Sequence, residues 1–163
     1  MKLRHLTYKF VLEFSAKLDS FFNNIGRVIY AGPQNDMRLI DTSGAGSVQG
    51  QGGRDGLDRN YGSYAMYDIG KLMVTGGAGS TNTATLVNMA SNALTASATS
   101  SMKYGRRQHN ATVLADGSVL VTGGLSSGAG LVDLNAGVYS AEVWNPATGA
   151  WRELASAAVT RQY

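Results

Sequence analysis

Three short segments carry the residue types and spacing that could do chemistry: Arg59-Asn60-Tyr61, Arg106-Arg107-Gln108-His109 and Arg161-Gln162-Tyr163. Arginine offers five fixed donors for carboxylates, carbonyls and anions. Tyrosine and histidine can hold a metal or pass a proton. From Arg59 to Arg106 is 47 residues and from Arg106 to Arg161 is 55, so the segments read as equivalent positions of one repeated unit. On that reading the arginines tie blades together through hydrogen bonds to carbonyls and carboxylates, with anion binding at the channel mouth as the alternative. His109 reads as a hydrogen-bonded histidine at a strand start, with metal ligation as the alternative.

The rest of the chain narrows the chemistry. It has no cysteine, and His5 and His109 are its only histidines, so disulfides and thiolate metal sites are excluded within it. Thr75-Gly76-Gly77-Ala78-Gly79-Ser80 and Ser43-Gly44-Ala45-Gly46-Ser47 imitate phosphate loops. Neither ends in Gly-Lys-Ser/Thr or leads into an amphipathic helix, so both read as turns. Residues 50–58 read as a Gly-rich polar loop in which Asp55 and Asp58 offer oxygens to calcium, without a recognised ligand spacing.

The elements that must position these residues follow from a second repeat. Of 163 residues, 44% are hydrophobic and only 15% charged, which excludes a disordered chain. Twenty-one glycines against two prolines predict many tight turns between short strands. Gly26-Arg27-Val28-Ile29-Tyr30-Ala31-Gly32, Gly70-Lys71-Leu72-Met73-Val74-Thr75-Gly76 and Gly117-Ser118-Val119-Leu120-Val121-Thr122-Gly123 share one pattern. Each is Gly, a polar residue, an apolar triplet, a small residue and Gly. The first Gly marks a hairpin turn, with Asp116-Gly117 the strongest signal and positive φ expected at both central positions. The triplet predicts a strand buried on both faces. Second-strand signals follow at residues 37–41, 85–88 and 141–145, and Trp151-Arg152-Glu153-Leu154 opens a fourth strand.

Four strands, a diglycine and this tryptophan, repeated at about 50 residues, match the kelch repeat of β-propellers. The predicted fold is therefore all-β, a kelch-type propeller fragment of about two to three four-stranded blades, with hairpins near residues 26, 70 and 117. Residues 23–163 form it. Residues 1–22 match poorly, although Tyr8, Phe10, Leu12 and Phe14 alternate like a strand. Residues 126–137 are an insertion. The strand before each hairpin is innermost in its blade, which places Arg59, Tyr61, Arg106, Gln108, His109, Arg161 and Tyr163 around the axis at one mouth of the channel. Propellers close with four to eight blades. Blade edges are then left open, and self-association through them is expected.

From residue 26 onward the chain resembles the seven-bladed catalytic domain of galactose oxidase and the related glyoxal oxidases. The matching runs are Gly26 to Pro33, Asp41-Thr42-Ser43-Gly44-Ala45-Gly46-Ser47, Ala65-Met66-Tyr67-Asp68, Arg106 to Gly117, Glu142-Val143-Trp144-Asn145-Pro146 and Arg161-Gln162-Tyr163. The resemblance implies a copper radical oxidase that oxidises a primary alcohol, an aldehyde or a carbohydrate and reduces oxygen to hydrogen peroxide. It implies copper held by two tyrosines, one cross-linked to cysteine, and two histidines. Tyr163 matches the axial tyrosine; the other ligands have no match in this chain. The family's substrate-contacting arginine is also unmatched, since residues 9–22 hold none. The resemblance thus implies copper in full-length relatives, none in this chain alone, inactivity in isolation, and an extracellular setting, although no signal peptide is visible.

Other classes fare worse. The +3 net charge is not gathered into a basic stripe interleaved with aromatics, which speaks against nucleic-acid binding. No apolar run approaches the ~20 residues of a membrane span. A non-catalytic kelch segment for protein or carbohydrate binding, or a truncated relic, remains the alternative.

Overall fold

The computed structural model describes residues 20–22, 27–128 and 132–162. Twelve strands form three four-stranded antiparallel sheets, each meandering in chain order. The first sheet, blade 1, holds β1 (Ser20–Phe22), β2 (Val28–Tyr30), β3 (Asp36–Asp41) and β4 (Ser47–Gly53). Blade 2 holds β5 (Ser63–Asp68), β6 (Lys71–Thr75), β7 (Ala84–Asn88) and β8 (Thr95–Ala98). Blade 3 holds β9 (Asn110–Val113), β10 (Val119–Thr122), β11 (Ser140–Trp144) and β12 (Trp151–Ser156). The only helical turn among the described residues, the 3-10 turn Leu134–Ala136, lies in the insertion, capped by Asp133, whose Oδ1 accepts from the Asn135 amide at 3.1 Å. The alternating stretch at Tyr8 to Phe14 and the first hairpin glycine, Gly26, lie outside the described residues.

Two apolar layers hold the blades together. Ile29 and Leu39 of blade 1 pack with Leu72, Val74 and Val87 of blade 2. Ala65 and Met73 of blade 2 pack with Val119 and Trp144 of blade 3. Successive side chains of a strand point to opposite faces, so Leu72 and Val74 face one neighbour while Met73 faces the other. All three are fully buried. Among the described residues the outer blades are covered on one face: Val28, Tyr30 and Leu120 are half-buried, while Ile29 and Val119 are buried. The expected two-faced burial of the apolar triplet therefore holds in blade 2 alone.

Two local expectations need correction. The β9–β10 loop has three residues, closed by Leu114 N–H to the Ser118 carbonyl (2.8 Å) and Gly117 N–H to the Leu114 carbonyl (3.0 Å). Only Gly117 takes positive φ, +81°, as a three-residue hairpin ending in a left-handed residue requires. Residues 50–53 belong to β4 rather than to a loop, because β3 pairs with them along Arg38–Gly50 and Asp36–Gly53.

Candidate functional site

Arg59 and Arg106 each reach into the blade that follows them. Arg59 donates from Nη1 to the Gly76 carbonyl (2.8 Å) and the Thr83 carbonyl (3.0 Å), and from Nη2 to Thr83 and Thr85 hydroxyls (2.9 and 3.2 Å). Arg106 donates from Nη1 to the Gly123 carbonyl (3.0 Å), and from Nη2 to the Ser140 carbonyl (3.1 Å) and Glu142 Oε1 (2.6 Å). Gly76 and Gly123 are repeat equivalents, so one arginine per blade satisfies the carbonyl where the second strand ends. These fans of charge-assisted bonds let a guanidinium sit in the core without an unpaired charge.

Blade 1 solves the same problem from the opposite direction. Its matching carbonyl, Gly32, accepts from Arg54 Nη1 at 2.9 Å, and Arg54 follows the last strand of the blade instead of preceding the first. Arg54 stands outside the Arg-x-Tyr register that precedes the later hairpins; its signal is the Gly53-Arg54-Asp55 run. Asp55 stands between Arg54 and Arg59, at 3.4 and 2.7 Å. Burial pushes its carboxyl pKa up, but hydrogen bonds from Thr85 and Arg59 and the charges of Arg59 and Arg54 outweigh this and hold it below the usual range. Asp58 Oδ1 accepts from the Asn35 amide at 2.8 Å. Asp55 is thus held by two arginines and Thr85, while Asp58 is exposed and accepts this one backbone bond.

The residues after these arginines gather at one end of the sheets. Gln108 N–H donates to the Tyr61 carbonyl (2.8 Å), and the Arg107 guanidinium lies 5.0 Å from the centre of the Tyr61 ring. Tyr61 and Gln108, repeat equivalents, share a left-handed backbone at φ +61° and +54°. Such φ values are uncommon outside glycine and mark a turn dictated by its surroundings. The Gln108 side chain is buried, with neither amide atom bonded to a described protein group.

His109 is buried beside them, its Nε2 2.8 Å from Thr75 Oγ1 of blade 2. Burial, then the charges of Arg106 and Arg59, drive its pKa down to about 3, so the ring is neutral near pH 7. Arg161 arrives by the same backbone device as Arg106. The Gly124 N–H donates to the Arg161 carbonyl (2.8 Å), just as the Gly77 N–H donates to that of Arg106 (2.9 Å). Tyr163 lies outside the described residues. Among the described residues no three His, Cys, Asp or Glu side chains converge as a metal site would require.

Comparison with known proteins agrees with this architecture. Residues 106–157, blade 3 and its lead-in, match the Kelch motif model. Galactose oxidase of Gibberella zeae is 31% identical over 137 residues, which covers 74% of this chain and 20% of that protein. The chain therefore spans about a fifth of that curated relative. A solved fungal alcohol oxidase, described as a member of the AA5 family in complex with copper, is 30% identical and superposes with a TM-score of 0.79 over 84% of this chain and 31% of its own. The structure of YjhT, 19% identical, shares the fold at a TM-score of 0.64 over 85% of this chain. In sequence and fold together, the chain is a galactose oxidase-like kelch propeller fragment.

Proposed function

We propose that this chain contributes part of the catalytic propeller of a copper radical oxidase, which converts a primary alcohol or aldehyde with oxygen into the oxidised product and hydrogen peroxide, and that the 163 residues alone are inactive. The supporting observation is the likeness of most of the chain to a copper-containing alcohol oxidase at 30% identity. In this reading Tyr163 is the axial copper ligand and the site operates outside the cell.

The described residues by themselves do not fit a copper ion. His109 faces Thr75 through Nε2 and is buried. The carboxylates of Asp55 and Glu142 are held by arginines. No step of the reaction is assigned to them. The test is Cu(II) electron paramagnetic resonance on the purified chain after dialysis against a chelator. The expected result is no retained copper, in the unmodified chain and in Tyr163→Phe alike. Stoichiometric copper in the unmodified chain overturns the expectation that the isolated chain holds none, and together with substrate-dependent peroxide overturns its inactivity. Loss of that copper in Tyr163→Phe would still support the ligand assignment.

A further inference from the structure

Three aromatic rings line up across the seam between blades 2 and 3. Tyr67 lies on β5, the innermost strand of blade 2, on the same face as Ala65, which packs against blade 3. Its ring meets Trp144 of β11 edge-on, with centroids 5.0 Å apart and planes at 74°. Trp144 is in turn the direct cross-strand partner of Trp151, the first residue of the outermost strand β12, and both rings belong to one packed cluster. The turn between them fixes the pair: Asn145 N–H donates to the Ala150 carbonyl (3.0 Å) and Gly149 N–H to the Asn145 carbonyl (2.8 Å). Trp144 is buried, and the ring on either side of it is half-buried. The three rings therefore run from the rim of the blades, through the interior, to an inner strand.

Hydrogen bonds set what each ring can do once it is oxidised. Trp144 Nε1 donates to Thr99 Oγ1 (3.1 Å) and Trp151 Nε1 to the Ser100 carbonyl (2.8 Å). A neutral hydroxyl or carbonyl holds an indole proton without removing it, so an electron hole on either indole stays charged and mobile. A phenol that has lost an electron is strongly acidic, and half-buried Tyr67 can release its proton to water. Electron exchange falls steeply with separation, which favours rings in contact over distant ones. We propose that Trp151, Trp144 and Tyr67 form a one-electron relay from the rim to the inner strand, with Tyr67 as the residue where oxidation settles. An oxidant at the rim takes one electron from Trp151 and is itself reduced. Trp144 refills Trp151, and Tyr67 refills Trp144 and loses its phenolic proton. The net loss is one electron and one proton from Tyr67. The oxidants are the radicals that copper ions form from hydrogen peroxide, and for their supply the relay rests on the oxidase reading.

The test brings its own oxidant, so its failure is distinct from a failure of that reading. The chain has no cysteine, so Ala150→Cys at an exposed position carries a single ruthenium polypyridyl beside Trp151. A laser flash with an electron acceptor in solution turns the label into a one-electron oxidant. Trp144 and Trp151 are the only tryptophans, so any tryptophan radical in transient absorption belongs to them. The expected result is a tryptophan radical that decays as a tyrosyl radical rises. Tyr67→Phe loses the rise and prolongs the tryptophan radical; Trp144→Phe also loses the rise. Should Trp144→Phe not fold, Trp151→Phe on the half-buried strand β12 replaces it and loses both signals. Tyr104, whose phenol donates to Glu153 Oε1 at 3.0 Å, is the control, and Tyr104→Phe leaves the rise unchanged. A rise that survives Tyr67→Phe, or that disappears in Tyr104→Phe instead, overturns the proposal. So does a tryptophan radical with no tyrosyl successor, or signals unchanged in Trp151→Phe.

Discussion

Asp55 carries its carboxylate out of blade 1 and places Oδ2 2.7 Å from Thr85 Oγ1 inside blade 2, also 2.7 Å from Arg59 Nε. Thr85 pairs with Val74 as Glu142 pairs with Val121. Blade 3 therefore neutralises Arg106 with its own Glu142, while blade 2 borrows an acid from the loop before it. The loan fastens one blade to the next. We expect Asp55→Asn to lower stability by about 1.5–3 kcal/mol, the range for hydrogen bonds to charged groups. Glu142→Gln should lose more, about 3–5 kcal/mol, because Glu142 and Arg106 are both fully buried, whereas solvent still reaches the Asp55 carboxylate beside Arg59. Urea unfolding of both variants checks the order; an Asp55 loss larger than the Glu142 loss contradicts it.

His109 makes stability acid-sensitive. Its folded pKa of about 3 lies below its ordinary value of 6.5, so the unfolded chain takes up a proton first as pH falls. Its contribution is complete above pH 6.5 and declines steadily toward pH 3, by up to ~1.4 kcal/mol per pH unit. Between pH 6.5 and 4.5, above the ordinary aspartate value, most of the slope should come from this ring. His109→Gln should flatten the stability profile there. An unchanged slope contradicts the neutral buried histidine.

Gly77 is held at φ +79°, and a Cβ on it would lie 2.8 Å from both the Arg59 carbonyl oxygen and the Gly62 nitrogen. Gly44 has φ +56° with nothing within 4 Å of its missing Cβ. Gly44→Ala should therefore lose only the left-handed backbone term, ~1–2 kcal/mol. Gly77→Ala should lose that and the clash with rigid backbone, and lower the melting temperature further. Equal shifts for the two variants contradict this assignment.

Trp144 packs edge-on against Tyr67 of blade 2, ring centres 5.0 Å apart, and its Nε1 donates to Thr99 at 3.1 Å. It is the apolar anchor between blades 2 and 3. Trp144→Phe keeps an aromatic but drops the bond and some volume, for a loss of about 1–3 kcal/mol. Trp151 is the control: it is only half-buried on β12 where Trp144 is fully buried, so Trp151→Phe should lose less.

The blades were legible in the sequence because each carries its glycines and apolar triplet at nearly constant spacing. Leu72, Met73 and Val74 announce a two-faced strand whether or not neighbours exist. What covers those faces is a tertiary fact, which is why Val28 and Leu120 fell short of the expected burial. The positions of Arg59 and Arg106 were legible because their period matched the hairpins, but their guanidinium groups bond within the blade each precedes rather than tying two blades together. Arg54 and Asp55 were not, because they reach their partners across about 20 to 30 residues and from the opposite side, where no repeat register points. The hairpin at Gly117 was placed correctly but one residue too short, since Asp-Gly serves both loop lengths and only the Leu114–Ser118 bond distinguishes them.

The central claim is that this chain belongs to an oxidase propeller yet does not by itself complete the oxidase. The most direct measurement is peroxide release from the purified, copper-supplemented chain across a panel of primary alcohols, aldehydes and hexoses, followed by a coupled peroxidase. The account predicts release no higher than that of free copper at the same concentration. Substrate-dependent peroxide above that level, lost in Tyr163→Phe, would contradict it and assign the whole reaction to these 163 residues.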